Sequence, residues 1–263
     1  MSNCRHCNNQ LNHQLIDLGH APPSNNYLDK DSLLESETHF PLKLLICDNC
    51  WLIQTIDYND AENLFKSDYA YFSSTSQSWI QHSLEYSNKI IDKLSLDNSN
   101  FVVEIASNDG YLLQNFIHAD IPCLGIEPTE STALVAEEKG IEVIKEFFTE
   151  DLSKKLSKDK KADLIIGNNV FAHVPDINDF SLGIKRLLSK EGVITLEFPH
   201  LMELILNMQF DTIYHEHFSY LSLYTVSRVF KKAGLKIFDV EQIKTHGGSL
   251  RVYGCHEEDT RKV

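Results

Sequence analysis

The chain has 263 residues, 42% of them hydrophobic and 24% charged, with 11 glycines and 7 prolines; this excludes fibrous and disordered classes and leaves one large domain or two small ones. Its 38 acidic and 24 basic residues give a formal charge of −14, which repels polyphosphate and excludes non-specific nucleic-acid binding. No apolar run approaches the roughly 20 residues that cross a bilayer, and the start MSNCRHCNNQ lacks the apolar core of a signal peptide, so no membrane partner is expected and the cytoplasm is the default compartment.

The chain opens on two Cys-x-x-Cys pairs, Cys4/Cys7 and Cys47/Cys50, which bracket a region of short β-like runs (Pro41–Cys47, Trp51–Ile56) and turn-rich segments such as Ala21–Asn26. Two thiolates three residues apart supply one edge of a tetrahedron, and a second such turn supplies the opposite edge, at about 2.3 Å from zinc. Four cysteines saturate the metal, so the site staples the fold and leaves no position for substrate. Disulfides and a redox pair compete with this reading; a cytosolic chain without a thioredoxin-like βαβ around either pair favours structural zinc. Cys123 and Cys255 stand alone and read as buried small hydrophobes.

From Ser76 to Leu96, Ile80, Leu84, Ile91 and Leu94 recur at near-helical spacing, which predicts a helix joining a zinc-binding domain (1–75) to a second domain (76–263). There, apolar runs alternate with amphipathic segments: Phe101–Ile105, a helix from about Tyr111, Cys123–Ile126, a helix near Thr132–Lys139, Ile141–Ile144, Leu164–Ile166 and Gly192–Phe198. Such alternation predicts an α/β fold with a parallel sheet covered by helices. A later helix carries Val226, Val229, Phe230 and Ala233 on one face and ends at Gly234, which suits a left-handed cap.

The first strand of that sheet ends in Glu104-Ile-Ala-Ser-Asn-Asp-Gly110, directly before a helical segment. Small residues between strand and helix let backbone approach a ligand, and the carboxyl edge of an open α/β sheet is where ligands bind. The second strand ends at Glu127, placed to accept hydrogen bonds from two ribose hydroxyls. One glycine and two acidic groups, Glu104 and Asp109, fit anionic pyrophosphate poorly. The sulfonium and ammonium of S-adenosylmethionine suit this loop better.

The segments EIASNDGYLL, GIEP, ADLIIGNNVFAHVPD and GVITLEFPHL resemble the successive ligand-edge motifs of class I S-adenosylmethionine methyltransferases. The paired Cys-x-x-Cys region, DYAYFSS, IYHEHFSYLS and HGGSLRVYGCHEEDT are similar, more narrowly, to the sugar C-methyltransferases, which methylate nucleotide-activated 4-keto-6-deoxysugars beside the ketone. The resemblance implies a Rossmann-like sheet whose cofactor residues are Glu104, Ala106, Ser107, Asn108, Asp109, Gly110, Leu112, Glu127, Pro128, Asn168 and Asn169. Members of that family continue into a C-terminal domain that helps hold the nucleotide sugar, so a chain stopping at Val263 is expected to be a truncated or shortened relative.

Methylation at carbon first requires loss of a weakly acidic proton, hence a base near the carbon and donors aimed at the developing enolate. Tyr214-His-Glu-His-Phe-Ser-Tyr220 concentrates suitable groups, and spacing alone does not choose among them. The resemblance makes His217 the leading base, with Tyr214 the alternate and Glu216 orienting it or binding sugar hydroxyls. Histidine, with an ordinary pKa near 6.5, is largely unprotonated at neutral pH. His173, with Tyr69 or Tyr71, would donate to the ketone oxygen or the enolate. A metal site from His215 and His217, an O-methyltransferase and a zinc-stapled cofactor-binding module without turnover are the rival readings.

Overall fold

The computed structural model describes residues 2–25, 27–58 and 72–262. Near the N-terminus, His13–Ala21 (β1), Phe40–Ile46 (β2) and Ile53–Thr55 (β3) pair antiparallel in sequence order. The fourth strand of this sheet comes from far along the chain: Ile53 pairs with Tyr220 and Gln54 with Ser219. Leu42, Leu44, Ile53 and Tyr220 bury its inner face with Leu201 and Ile213.

Gln77–Leu94 (α1) follows, started by Ser76, whose side chain accepts from the Trp79 N–H, and stopped by Ser95 in the left-handed region. Next come Val102–Ile105 (β4), Gln114–His118 (α2), Cys123–Ile126 (β5), Glu130–Glu138 (α3), Glu142–Ile144 (β6), Glu150–Leu156 (α4) and Ala162–Asn168 (β7). Ile177–Leu187 (α5), Leu188–Pro199 (β8), Leu201–Leu206 (α6), Ser219–Tyr220 (β9), Leu223–Ala233 (α7), Leu235–Ile243 (β10) and Ser249–His256 (β11) complete the described elements.

Every residue of β4 and β5 is buried, as a strand covered on both faces requires. The large sheet runs β10-β11-β8-β7-β4-β5-β6, parallel from β8 to β6, with β11 and β10 added antiparallel. The α/β alternation thus yields the expected parallel sheet, and the β10–β11 hairpin is an addition that the alternation did not predict. From β4 the chain winds outward to β5 and β6, then crosses to β7 on the other side. That reversal opens a crevice at the carboxyl ends of β4 and β7.

One face is packed by α1 through Trp79, Tyr86 and Ile90, by α2 through Phe116 and by the turn before it through Leu112. The other is packed by α5 and α7, where Val226, Val229 and Phe230 are fully buried and each contributes about 1.5–3 kcal/mol. Gly234 takes φ 74° and caps α7 as expected. The helix expected from Tyr111 starts at Gln114; Tyr111–Leu113 form tight turns in which three- and four-residue hydrogen bonds mix after the left-handed Gly110. Cys123 and Cys255 are buried free thiols, as expected. Among the described residues no helix is long and apolar enough to cross a membrane.

Candidate active site and metal centre

Each Cys-x-x-Cys pair is closed by a left-handed residue directly after its second cysteine, Asn8 at φ 61° and Trp51 at φ 63°. The two turns face each other with Cys4 Sγ 3.4 Å from Cys50 Sγ and Cys7 Sγ 3.5 Å from Cys47 Sγ, all four sulfurs lying within 4.8 Å of one another. A tetrahedron with Zn–S bonds of 2.3 Å has edges of about 3.8 Å, so the four thiols fit zinc and leave no open ligand position. Cys4, Cys47 and Cys50 also belong to the main core beside α7.

Arg5, inside the first turn, ties this staple to the rest of the molecule. Its guanidinium donates to the carbonyls of Pro175 at 2.7 Å and Thr55 at 3.3 Å and to Asp57, and it lies over the Phe218 ring. Asn178 adds hydrogen bonds to the Arg5 and His6 carbonyls. The metal turn therefore braces the segments that follow His173 and His217.

At the crevice, Ala106, Asn108 and Gly110 take φ values of 57°, 50° and 74°. This alternation coils the loop tightly after β4. Gly110 is required twice over, because a Cβ there would stand 2.4 Å from Ile141 Cδ1 and 3.1 Å from Ala136 Cβ. Glu127 lies at the end of β5, its carboxylate accepting from the Asn108 N–H at 3.0 Å and the Thr129 N–H at 2.8 Å. The Thr129 and Thr132 side chains also hydrogen-bond to this carboxylate. Burial raises the Glu127 pKa against those hydrogen bonds.

A cavity of about 560 Å³ spans the crevice and is lined by Ala106, Asn108, Glu127, Pro128, Asn168 and Asn169. Glu104, Ser107, Asp109, Gly110 and Leu112 stand behind this lining, all buried. Asp109 accepts from the Ser74 N–H and has Lys139 Nζ 4.0 Å away, so it supports the loop. Glu104 is different: both carboxylate oxygens, Ser107 Oγ and the Asn168 amide are buried without a hydrogen-bond partner among the described residues. Burial first, then the neighbouring Glu127 and Asp109, raise the Glu104 pKa well above the usual carboxylate value. A cationic ligand relieves this crowding of negative charge, so the residues present fit S-adenosylmethionine.

The opposite wall of the same cavity carries His173, Tyr214, Glu216 and His217. A β-turn closed by the His217 N–H on the Tyr214 carbonyl, at 3.1 Å, brings the two side chains together. His217 Nδ1 lies 3.1 Å from the Thr212 carbonyl and therefore carries the proton, leaving Nε2 to accept from the Tyr214 hydroxyl at 2.9 Å. The His173 ring stands 4.6 Å from that of His217, centroid to centroid. Burial lowers the His217 pKa well below 6.5 and takes that of His173 down to about 4, so both are neutral. Glu216 accepts from Ser24 Oγ at 2.7 Å and Asn25 Nδ2 at 2.9 Å, while the Thr212 carbonyl holds the His217 ring.

His215 donates from Nε2 to the Pro41 carbonyl at 3.2 Å, away from His217, so the two do not form a metal pair. Among the described residues, only the four cysteines are grouped to hold a metal. Tyr69 and Tyr71 lie outside the described residues. Ser24, Asn25, Trp79, Phe147 and His246 line the cavity without having been singled out as site residues; the turn-rich APPSNN and the HGGSLRVY segment were the available signals.

Residues 77–240 match the family model described as "Methyltransferase domain", and residues 4–65 match one described as "Putative zinc binding domain". "C-methyltransferase NovU" of Streptomyces niveus is 34% identical over 253 residues, which is 96% of this chain and 60% of that protein. The chain thus spans about three-fifths of the length of this relative. Among solved structures, the magnesium protoporphyrin IX methyltransferase of Synechocystis PCC 6803 with bound SAH superposes over 67% of this chain and 83% of its own, with TM-score 0.54 and 14% identity. The PH0226 protein of Pyrococcus horikoshii OT3 superposes over 76% of this chain and all of its own, with TM-score 0.57 and 15% identity. These two show the fold alone. With more than half of its length matched by the methyltransferase model, the chain belongs to the S-adenosylmethionine-dependent methyltransferase family.

Proposed function

We propose that this protein methylates the carbon beside the ketone of a nucleotide-linked 4-keto-6-deoxysugar, with Tyr214 and His217 acting together as the base. The observation that carries the reading is that one cavity joins the cofactor edge of the sheet to this hydrogen-bonded pair. The name of the curated relative supports carbon over oxygen as the acceptor, and the sugar class rests on the motif resemblance.

S-adenosylmethionine, when bound, supplies an electrophilic methyl group on a positively charged sulfur. Glu127 and Pro128 hold its ribose side; Ala106, Asn108, Asn168 and Asn169 form the adjoining wall, supported by Glu104, Ser107, Asp109, Gly110 and Leu112. The Tyr214 oxygen takes the proton beside the ketone as its own passes to His217 Nε2, a transfer that the 2.9 Å contact supports. The Thr212 carbonyl keeps His217 in the tautomer able to receive it. His173, neutral and hydrogen-bonded to the Glu216 backbone, positions that segment at the acceptor side of the cavity, and Glu216 orients sugar hydroxyls from its anchorage on Ser24 and Asn25. We also propose two units, 1–75 and 76–263; matched segments ending at 65 and starting at 77 support that division.

The test is hydrogen exchange in heavy water with S-adenosylhomocysteine and a panel of nucleotide-linked 4-keto-6-deoxyhexoses. Deuterium should enter beside the ketone and should be lost when Tyr214→Phe and His217→Asn are combined. Methylation at a hydroxyl without exchange overturns the proposal.

A further inference from the structure

We infer that His246 is a further residue of this site, its Nδ1–H donating a hydrogen bond to an oxygen of the methyl acceptor. The inference rests on the acceptor reading given above. His246 lines the same cavity as His173 and His217 and is close enough to interact electrostatically with both. Three imidazoles from three separate segments, after β7, before β9 and between β10 and β11, thus meet in one space.

The backbone is the first sign that this histidine is held for a purpose beyond the turn. His246 takes φ 50° and ψ 40°, a conformation L side chains rarely adopt, and is followed by Gly247 at φ 74° and Gly248 at φ 118°. Glycine would fill all three positions without strain, yet the first carries an imidazole; strained side chains that persist in this way cluster at functional sites. The surroundings hold the turn firmly. Thr245 donates to the buried Glu197 carboxylate at 3.0 Å, Gln209 Nε2 donates to the Gly247 carbonyl at 2.8 Å, and the Gly248 N–H donates to the Thr245 carbonyl at 2.9 Å. Glu197 is itself fixed by Arg251 at 2.6 Å.

The ring is fixed as well. The Asn169 amide nitrogen donates to His246 Nε2 at 3.0 Å, and Trp79 meets the imidazole edge-on with centroids 5.0 Å apart. A nitrogen that accepts from an amide has no hydrogen, so the proton sits on Nδ1, for which no hydrogen-bond partner is present among the described residues. His246 is exposed overall, and partial desolvation of its ring lowers the pKa, which keeps it neutral. A rigid, neutral N–H beside the base pair is what a ketone oxygen gathering negative charge requires, because its dipole is set before the reaction.

The experiment compares the full chain with His246→Gly and His246→Asn. It measures thermal unfolding, S-adenosylmethionine affinity by calorimetry, and deuterium exchange on the same sugar panel. His246→Gly should unfold at the same or a higher temperature, bind S-adenosylmethionine within about threefold of the unaltered chain, and lose exchange by roughly 10²–10³-fold. His246→Asn, which keeps an N–H donor and tolerates positive φ, should fall between. Unchanged exchange in His246→Gly overturns the assignment, as does a loss of S-adenosylmethionine affinity as steep as the loss of exchange, which would make the residue a cofactor contact. Absence of exchange in the unaltered chain overturns the acceptor class and this donor's stated partner together, and is distinguishable because it needs no variant.

Discussion

Gly110→Ala isolates the steric demand of the loop after β4. The new Cβ sits in a left-handed residue at φ 74°, which costs about 1–2 kcal/mol. It also stands 2.4 Å from Ile141 Cδ1 and 3.1 Å from Ala136 Cβ, and Ile141 is 2% and Ala136 0% exposed, so neither can retreat into solvent. Overpacking of this kind adds about 1–3 kcal/mol. The total, about 2–5 kcal/mol, is a large part of the 5–15 kcal/mol that a folded chain holds in reserve. At about 2–4 °C per kcal/mol for a chain of this size, the unfolding midpoint should fall by about 4–20 °C in a thermal melt followed by circular dichroism. Adding Ile141→Val removes Cδ1 and should return the overpacking part while leaving the cost of φ. If Gly110→Ala unfolds within about 0.5 kcal/mol of the parent, or if the double variant is no more stable than the two single effects added, the steric argument is wrong.

Three other outcomes follow from the buried charges and the thiols. Because Glu104 holds its proton more tightly folded than unfolded, its contribution is full below about pH 4.5 and is lost as the pH climbs toward its raised folded pKa. Glu104→Gln should therefore gain stability relative to the parent as urea melts are repeated from pH 4.5 to 8; a difference that does not change with pH contradicts the burial argument. Arg251→Met leaves Glu197, 0% exposed, without its guanidinium partner at 2.6 Å and should cost about 3–5 kcal/mol in urea unfolding, most of it recovered by adding Glu197→Leu. Cys47→Ser should reduce bound zinc from about one ion per chain and lower the thermal midpoint, since the thiols sit in the main core; an unchanged midpoint after chelation of the parent refutes a structural role for the metal.

The parts of the fold that were legible in the sequence are those set by local rules. The two Cys-x-x-Cys turns, the runs of β4, β5 and β7, and the Ser76 and Gly234 ends of helices depend on a few neighbouring residues and stand where the pattern puts them. The acidic loop after β4 was readable for the same reason. What escaped is non-local. Nothing within IYHEHFSYLS says that its turn lays Tyr214 against His217, or that Ser24 and Asn25, nearly two hundred residues earlier, will hold Glu216. The β10–β11 hairpin likewise depends on pairing with β8, and only that pairing carries His246 to the cavity. Non-local packing reaches Asp109 as well: it accepts from the Ser74 N–H and has Lys139 Nζ 4.0 Å away, contacts that its type and spacing did not announce.

The strand at Ser219–Tyr220 also imposes an order of events during synthesis. Its partner Ile53 leaves the ribosome more than 160 residues earlier, a delay of roughly 8–30 s at ordinary translation speeds. Throughout that interval the outer edge of β3 offers unpaired N–H and C=O groups to any passing strand. A fragment ending near residue 75 keeps that edge bare permanently, so it should accumulate in aggregates when expressed alone, and chaperone dependence of the nascent chain should end only as the segment around Tyr220 emerges.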